Sequence, residues 1–212
     1  HVKEELGSRI QWVLDGGICQ VGVESTIVWI NPETAEVSIL RPGGIAKEKI
    51  EKVLGRPVLQ LQEMQHLQNG LPGKPRSQHL QNAPLSVIAS PGLMKSHYAP
   101  NTPLQVLSKR FSELSSSDLQ NLKLPIEIAL LCLQTDPTQA RMTFETLGHH
   151  VKIAAFLGNS ETEAAKNLFK TLRELDHVGT GVILSEPCPS QTGLWLAIED
   201  RIKRAMSPLN LL

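Results

Sequence analysis

The sequence has 212 residues, enough for one large domain or two small ones, and its 41% hydrophobic content is ample for a packed core. Lysine plus arginine equal aspartate plus glutamate at 21 each, which excludes a global field drawing the chain to nucleic acid or to a membrane surface. The longest apolar run, Ile128 to Leu133, falls far short of the ~20 residues that a bilayer span needs.

The chain opens on His1 rather than methionine, and Val2 to Asp15 already read as the inside of a domain, so a truncated chain is expected. Residues 1–58 carry strand and turn signals ending in a short helix. Valine, isoleucine and threonine dominate from Ile18 to Ile30, which predicts a strand on a half-buried surface. Asn31-Pro32-Glu33 supplies turn chemistry, and Glu36 to Leu40 a short return strand, giving a hairpin. Arg41-Pro42-Gly43-Gly44 ends the ladder, because proline lacks the donor and glycine costs strand entropy. Ile50, Val53 and Leu54 then share one face of a helix that Gly55 can terminate.

Residues 59–100 read as a linker. Glutamines recur among Gly70, Pro72, Gly73 and Pro75, leaving little apolar surface to offset chain entropy. A short helix fits Leu59 to Leu67, and the composition favours disorder from Asn69 to Ala83.

Residues 101–212 return to alternating elements. Ile128 to Leu133 is the continuous apolar run of a strand buried on both faces. Ser160 and Glu163 form a capping-box pattern, Leu168, Leu172 and Leu175 follow at helical spacing, and Gly179 suits the position past the helix end. Val182 to Leu184 predict a strand, and Leu194, Ile198, Ile202 and Ala205 a final helix. The fold class is therefore α/β, with a small open Rossmann-like sheet in this third zone.

Common chemical signatures are missing. Gly70-Leu71-Pro72-Gly73-Lys74 has the wrong spacing for a phosphate loop, and Gly179-Thr180-Gly181 precedes a strand rather than following one. His149-His150 is an adjacent pair whose rings point apart, a poor metal clamp. Cys19, Cys132 and Cys188 contain no Cys-x-x-Cys pair, which predicts reduced, mostly buried thiols in a cytoplasmic protein.

Two strings carry more. One is Asp15-Gly16-Gly17, then Gly22-Val23-Glu24-Ser25-Thr26-Ile27-Val28, then Ile39-Leu40-Arg41-Pro42-Gly43-Gly44-Ile45. The other is Ser90-Pro91-Gly92-Leu93-Met94-Lys95-Ser96-His97-Tyr98-Ala99-Pro100. In this order they resemble the YrdC-like catalytic domain and interdomain linker of the long-form threonylcarbamoyl-AMP synthases, and the helices at Leu168 to Asp176 and Gly193 to Ala205 are similar to two in that family's C-terminal domain. The resemblance implies a partial YrdC-like twisted sheet in residues 1–58, a linker in 59–100 and a Rossmann-like domain in 101–212.

It also implies a reaction: L-threonine, bicarbonate and ATP give threonylcarbamoyl-AMP and pyrophosphate, with magnesium accompanying the nucleotide, and a separate tRNA threonylcarbamoyl-transferase complex takes the product. Direct tRNA binding by this chain has no support in its composition. By resemblance, Thr26 contributes to the L-threonine site, while Arg41 and Tyr98 contact ATP, Tyr98 as the anchor of a lid. Residue by residue, the alternatives are a β-branched strand position for Thr26, a solvated hairpin arginine for Arg41 and edge packing for Tyr98.

Two departures stand out: Gln11 where the family commonly has aspartate, and Leu93 where methionine usually follows Ser-Pro-Gly. The family's triphosphate-gripping basic motif and Ser-Ala-Asn segment lie upstream of this region, so the fragment alone is expected to be inactive. The alternative is a non-catalytic binding or regulatory module that keeps the C-terminal α/β domain.

Overall fold

The computed structural model describes residues 2, 6–60, 99–120, 122 and 124–207. The elements of the first zone are β1 (Ile27–Ile30), β2 (Val37–Arg41), α1 (Lys47–Leu54) and β3 (Leu59–Gln60). After these come β4 (Leu104–Val106), a 3-10 turn (Phe111–Glu113), α2 (Ser116–Gln120), β5 (Glu127–Cys132) and α3 (Pro137–Glu145). The chain continues through β6 (His150–Phe156), α4 (Glu161–His177), β7 (Val182–Ser185) and α5 (Trp195–Ala205). The α/β class expected from the sequence is observed.

The larger sheet has the order β4-β7-β5-β6 with all neighbours parallel. Its central strand shows why an unbroken apolar run was needed. Side chains alternate across a strand, so Ala129, Leu131 and Leu133 pack with Leu168, Leu172 and Leu175 of α4 and Ile198 and Ile202 of α5. Ile128, Leu130 and Cys132 face the other way, onto Phe111, Ala140 and Phe144. Phe111 and Phe144 meet edge to face at 5.3 Å and 85°, a contact worth about 1 kcal/mol beyond area burial.

Helix starts follow capping chemistry. Asp136 accepts from the amides of Thr138 (2.8 Å) and Gln139 (3.2 Å), with Pro137 opening α3 where no donor is needed. Ser160 Oγ accepts from Glu163 N at 3.2 Å. The Glu163 carboxylate reaches the amide of Asn159 (3.0 Å) rather than that of Ser160, so the capping box closes one residue early.

The smaller sheet has the order β1-β2-β3, with β1 and β2 antiparallel and β2 and β3 parallel. Here two expectations need correction. The strand foreseen from Ile18 forms only at Ile27–Ile30, because Gly22 adopts φ +79° and β2 offers ladder partners only there. Upstream of it Trp12, Leu14 and Ile18 stand in solvent, at 85%, 96% and 91% exposure. The helix foreseen from Leu59 begins instead as β3, paired with Ser38 and Ile39. The rest of that helix, the low-complexity stretch and the Ser-Pro-Gly string through Tyr98 lie outside the described residues.

The hairpin return, the break at Pro42 and the left-handed Gly55 (φ +65°) behind α1 match expectation. The α1 face is thinner than its pattern suggests. Ile50 packs on Val37, Ile39 and Val58, whereas Val53 is 87% exposed.

Candidate functional site

Thr26 and Arg41 lie together. Ile27 pairs with Arg41 at the end of the β1–β2 ladder, so Thr26 is the last residue before it. Arg41 therefore belongs to the ladder rather than standing beyond it. Its guanidinium folds back and donates to the Ser25 carbonyl from Nη2 (2.9 Å) and Nε (3.3 Å), and to Ser25 Oγ at 3.3 Å. At 8% exposure it is not a solvated hairpin arginine.

The Thr26 hydroxyl both donates, to Ile45 O at 2.7 Å, and accepts, from Ile45 N at 3.0 Å. Between these two residues the backbone is very tight. Gly44 N donates to Glu24 O at 2.8 Å, and a Cβ on Gly43 would sit 2.4 Å from Glu24 O and Thr26 N. Only glycine fits there, which explains the Pro-Gly-Gly turn: residues 24–26 and 41–45 cross with no side chain between them.

That crossing rests on the third zone. Val23 packs against the α4–α5 core, and a Cβ on Gly22 would lie 2.4 Å from Ala165 O. Arg201 of α5 donates to Glu24 Oε2 from Nε (2.9 Å) and Nη2 (2.8 Å), and Nη2 also reaches Pro42 O at 3.0 Å. Asp200 takes Nη1 at 2.6 Å and the Nε of Arg204 at 2.9 Å. Glu48, after the turn, accepts from Gly193 N at 3.3 Å.

A second polar centre sits at the carboxyl ends of the parallel strands. Glu186, directly after β7, is fully buried and accepts from the amides of Phe111 (2.8 Å), Leu133 (2.8 Å), Gln134 (2.7 Å) and Thr135 (3.0 Å) and from the Thr135 hydroxyl. β5 and β7 send their chains to opposite faces of the sheet, so this is the crevice where open α/β sheets commonly take ligands. Here the chain's own carboxylate fills it.

Neither Arg201 nor Glu186 was foreseen. Arg201 had a signal, since it falls on the apolar stripe of Ile198, Ile202 and Ala205, where a charge demands a partner. Glu186 had a weaker one, as an acid immediately past an apolar strand.

Burial pushes the Cys132 thiol up to about 12, with the Glu186 and Asp136 charges adding to it. Burial likewise raises Cys188 to about 12, helped by Glu199. Cys19 is exposed, against the expectation for it. His149 Nδ1 meets Pro125 O at 3.0 Å, while His150 of β6 lies beside Glu127 of β5. Tyr98 and His97 lie outside the described residues.

Residues 45–207 match the family described as "Threonylcarbamoyl-AMP synthase, C-terminal domain". The chain belongs to the threonylcarbamoyl-AMP synthase family. Relatives named threonylcarbamoyl-AMP synthase include that of Pyrococcus abyssi, 28% identical over 205 residues, covering 97% of this chain and 52% of the relative. The Bacillus subtilis relative is 31% identical over 97% of this chain and 51% of its own length. That of Schizosaccharomyces pombe is 30% identical over 98% and 48%. Among solved structures, P. abyssi Sua5 complexed with L-threonine superposes with a TM-score of 0.61 at 26% identity, covering 97% of this chain and 52% of that one. The chain thus spans about half the length of the threonylcarbamoyl-AMP synthases it matches. No helix among the described residues is long and apolar enough to cross a membrane.

Proposed function

We propose that this chain contributes to the synthesis of threonylcarbamoyl-AMP from L-threonine, bicarbonate and ATP. The observation that carries the reading is the adjacency of a hydroxyl, Thr26, and a guanidinium, Arg41, across one glycine turn, in a chain of this family. The P. abyssi relative solved with L-threonine bound supports threonine as the amino-acid substrate.

In the proposed reaction, the threonine amine and bicarbonate join through a new C–N bond with loss of water, and an oxygen of the resulting carbamate attacks the α-phosphorus of ATP. The bond from that phosphorus to the bridging oxygen breaks, and pyrophosphate leaves with the electron pair. Thr26, its hydroxyl proton held by Ile45 O and one lone pair by Ile45 N, orients the amino acid by accepting one hydrogen bond on its remaining lone pair. Arg41 stabilises charge that builds on the phosphate oxygens, its fixed fork suiting phosphate geometry. Tyr98 is assigned to the nucleotide as the anchor of a lid that keeps water from the adenylate.

Among the described residues no group of three His, Cys, Asp or Glu is gathered to hold a metal. Magnesium enters this proposal only with the nucleotide's phosphates, and no step runs through it. A cytoplasmic tRNA threonylcarbamoyl-transferase complex would consume the product.

The test is pyrophosphate release dependent on both threonine and bicarbonate, with the adenylate identified by mass spectrometry, in the complete polypeptide carrying this chain. Thr26→Val is expected to raise the KM for threonine about tenfold, the worth of roughly one hydrogen bond. Arg41→Met is expected to lower kcat at least ~100-fold. Wild-type constants in both folded variants would refute the residue roles. No turnover by the complete polypeptide would favour the binding-module alternative.

A further inference from the structure

We infer that Arg201 is a positioning residue for the substrate-binding turn, so that the last helix of the C-terminal α/β domain sets the geometry of Thr26 and Arg41. The inference rests on the reading that these two residues face the reacting adenylate.

Arg201 is 1% exposed yet lies on the apolar stripe of α5, where a methionine or leucine would fill similar space without the cost of desolvating a charge. What an apolar residue could not do is hold two strands of chain at once. The guanidinium grips the Glu24 carboxylate with Nε and Nη2, and with Nη2 also takes the Pro42 carbonyl. Glu24 and Pro42 sit on opposite sides of the crossing: the first begins the segment with Ser25 and Thr26, the second follows Arg41 directly. Glu24 O is in turn bonded to Gly44 N.

One planar fork therefore fixes the spacing between the segment that presents the hydroxyl and the segment that presents the second guanidinium. Asp200 Oδ2 accepts from both Nη1 and the Nε of Arg204, which keeps the fork from rotating. A lysine offers a single point of charge on a flexible stem and cannot reproduce this two-sided grip.

The alternative is that Arg201 only fastens the first and third zones together. The two roles differ in what they move. A fastener changes the melting temperature and leaves the KM and kcat of the folded enzyme alone. A positioning residue changes those constants at temperatures far below melting.

In the complete polypeptide, Arg201→Lys is expected to raise the KM for threonine and to lower kcat, each by ~10-fold or more, since a displacement of about 1 Å can cost ~100-fold. Glu24→Ala should do the same, and the double variant should be no worse than the poorer single one, because both remove one grip. Unchanged constants for folded Arg201→Lys, or independent multiplying effects in the double variant, would overturn the inference.

A second measurement needs no turnover. Hydrogen exchange at the Gly44 and Ile45 amides of the 212-residue chain should accelerate at least ~10-fold in Arg201→Lys, while the β5 amides stay unchanged. Equal exchange in both proteins would sink the positioning role by itself. Faster exchange together with no adenylate from the wild-type polypeptide would instead place the failure in the catalytic reading.

Discussion

Consider replacing Glu186. Four backbone amides and one hydroxyl converge on its two oxygens, and all but the half-buried Gln134 amide lie in the interior. Alanine orphans the whole set. At about 1 kcal/mol for each buried donor left unsatisfied, the low end of the usual range, the loss is about 4–5 kcal/mol, comparable to the total stability of many domains.

Glutamine behaves differently. Its one carbonyl oxygen can take the place of Oε2 and keep the amides of Leu133, Gln134 and Thr135. Its amide nitrogen then faces the donor of Phe111, and the charge assistance is gone everywhere. We expect a loss of about 2–3 kcal/mol, from one donor–donor conflict plus weakened bonds.

Urea titration followed by tryptophan fluorescence would rank the three proteins, with equal m-values confirming a common unfolding reaction. The expected order of stability is wild type, then Glu186→Gln, then Glu186→Ala. Formate, a small carboxylate, should restore part of the alanine variant's midpoint and leave the wild type unmoved. A neutral alanine substitution, or glutamine as damaging as alanine, would refute the reasoning.

Two further outcomes follow from the thiols and from Asp176. In native protein near pH 8, iodoacetamide should modify Cys19 rapidly and spare Cys132 and Cys188, whose thiols burial raises to about 12; peptide mass spectrometry reads this directly. Asp176 carries the opposite sign. Burial pushes its carboxyl up, but the amides of Thr102 and Asn101 outweigh that and hold it below its ordinary 3.8. Its contribution is present above pH 3.8 and is lost as the pH falls through the depressed folded value, so the stability gap between wild type and Asp176→Asn should persist at pH 6 and close only in acid.

The third zone was largely legible in the sequence because its signals are local and periodic. The run Ile128 to Leu133 could only be a strand buried on both faces, and Leu168, Leu172 and Leu175 could only be a helix stripe. The first zone was less so. Ile18 and Val21 have strand propensity, but among the described residues no partner strand runs alongside them, and propensity without pairing does not form a ladder.

Of the site, the neighbourhood of Thr26 and Arg41 was foreseen by resemblance, while its support was not. Glu24, Pro42 and Arg201 come from distant parts of the chain, and no spacing rule connects them. The glycine turn showed only that something crosses closely there. That the crossing segment is 24–26 emerges from tertiary packing alone.

The grip of Arg201 on Glu24 spans 177 positions of sequence. During synthesis, residues 24–26 leave the ribosome long before the helix that secures them exists. Local turns and the β1–β2 hairpin can form early, but closing so long a loop is slow and rewards the chain only at the end. The turn bearing Thr26 and Arg41 should therefore settle late, acquiring its final shape only once α5 has emerged and folded.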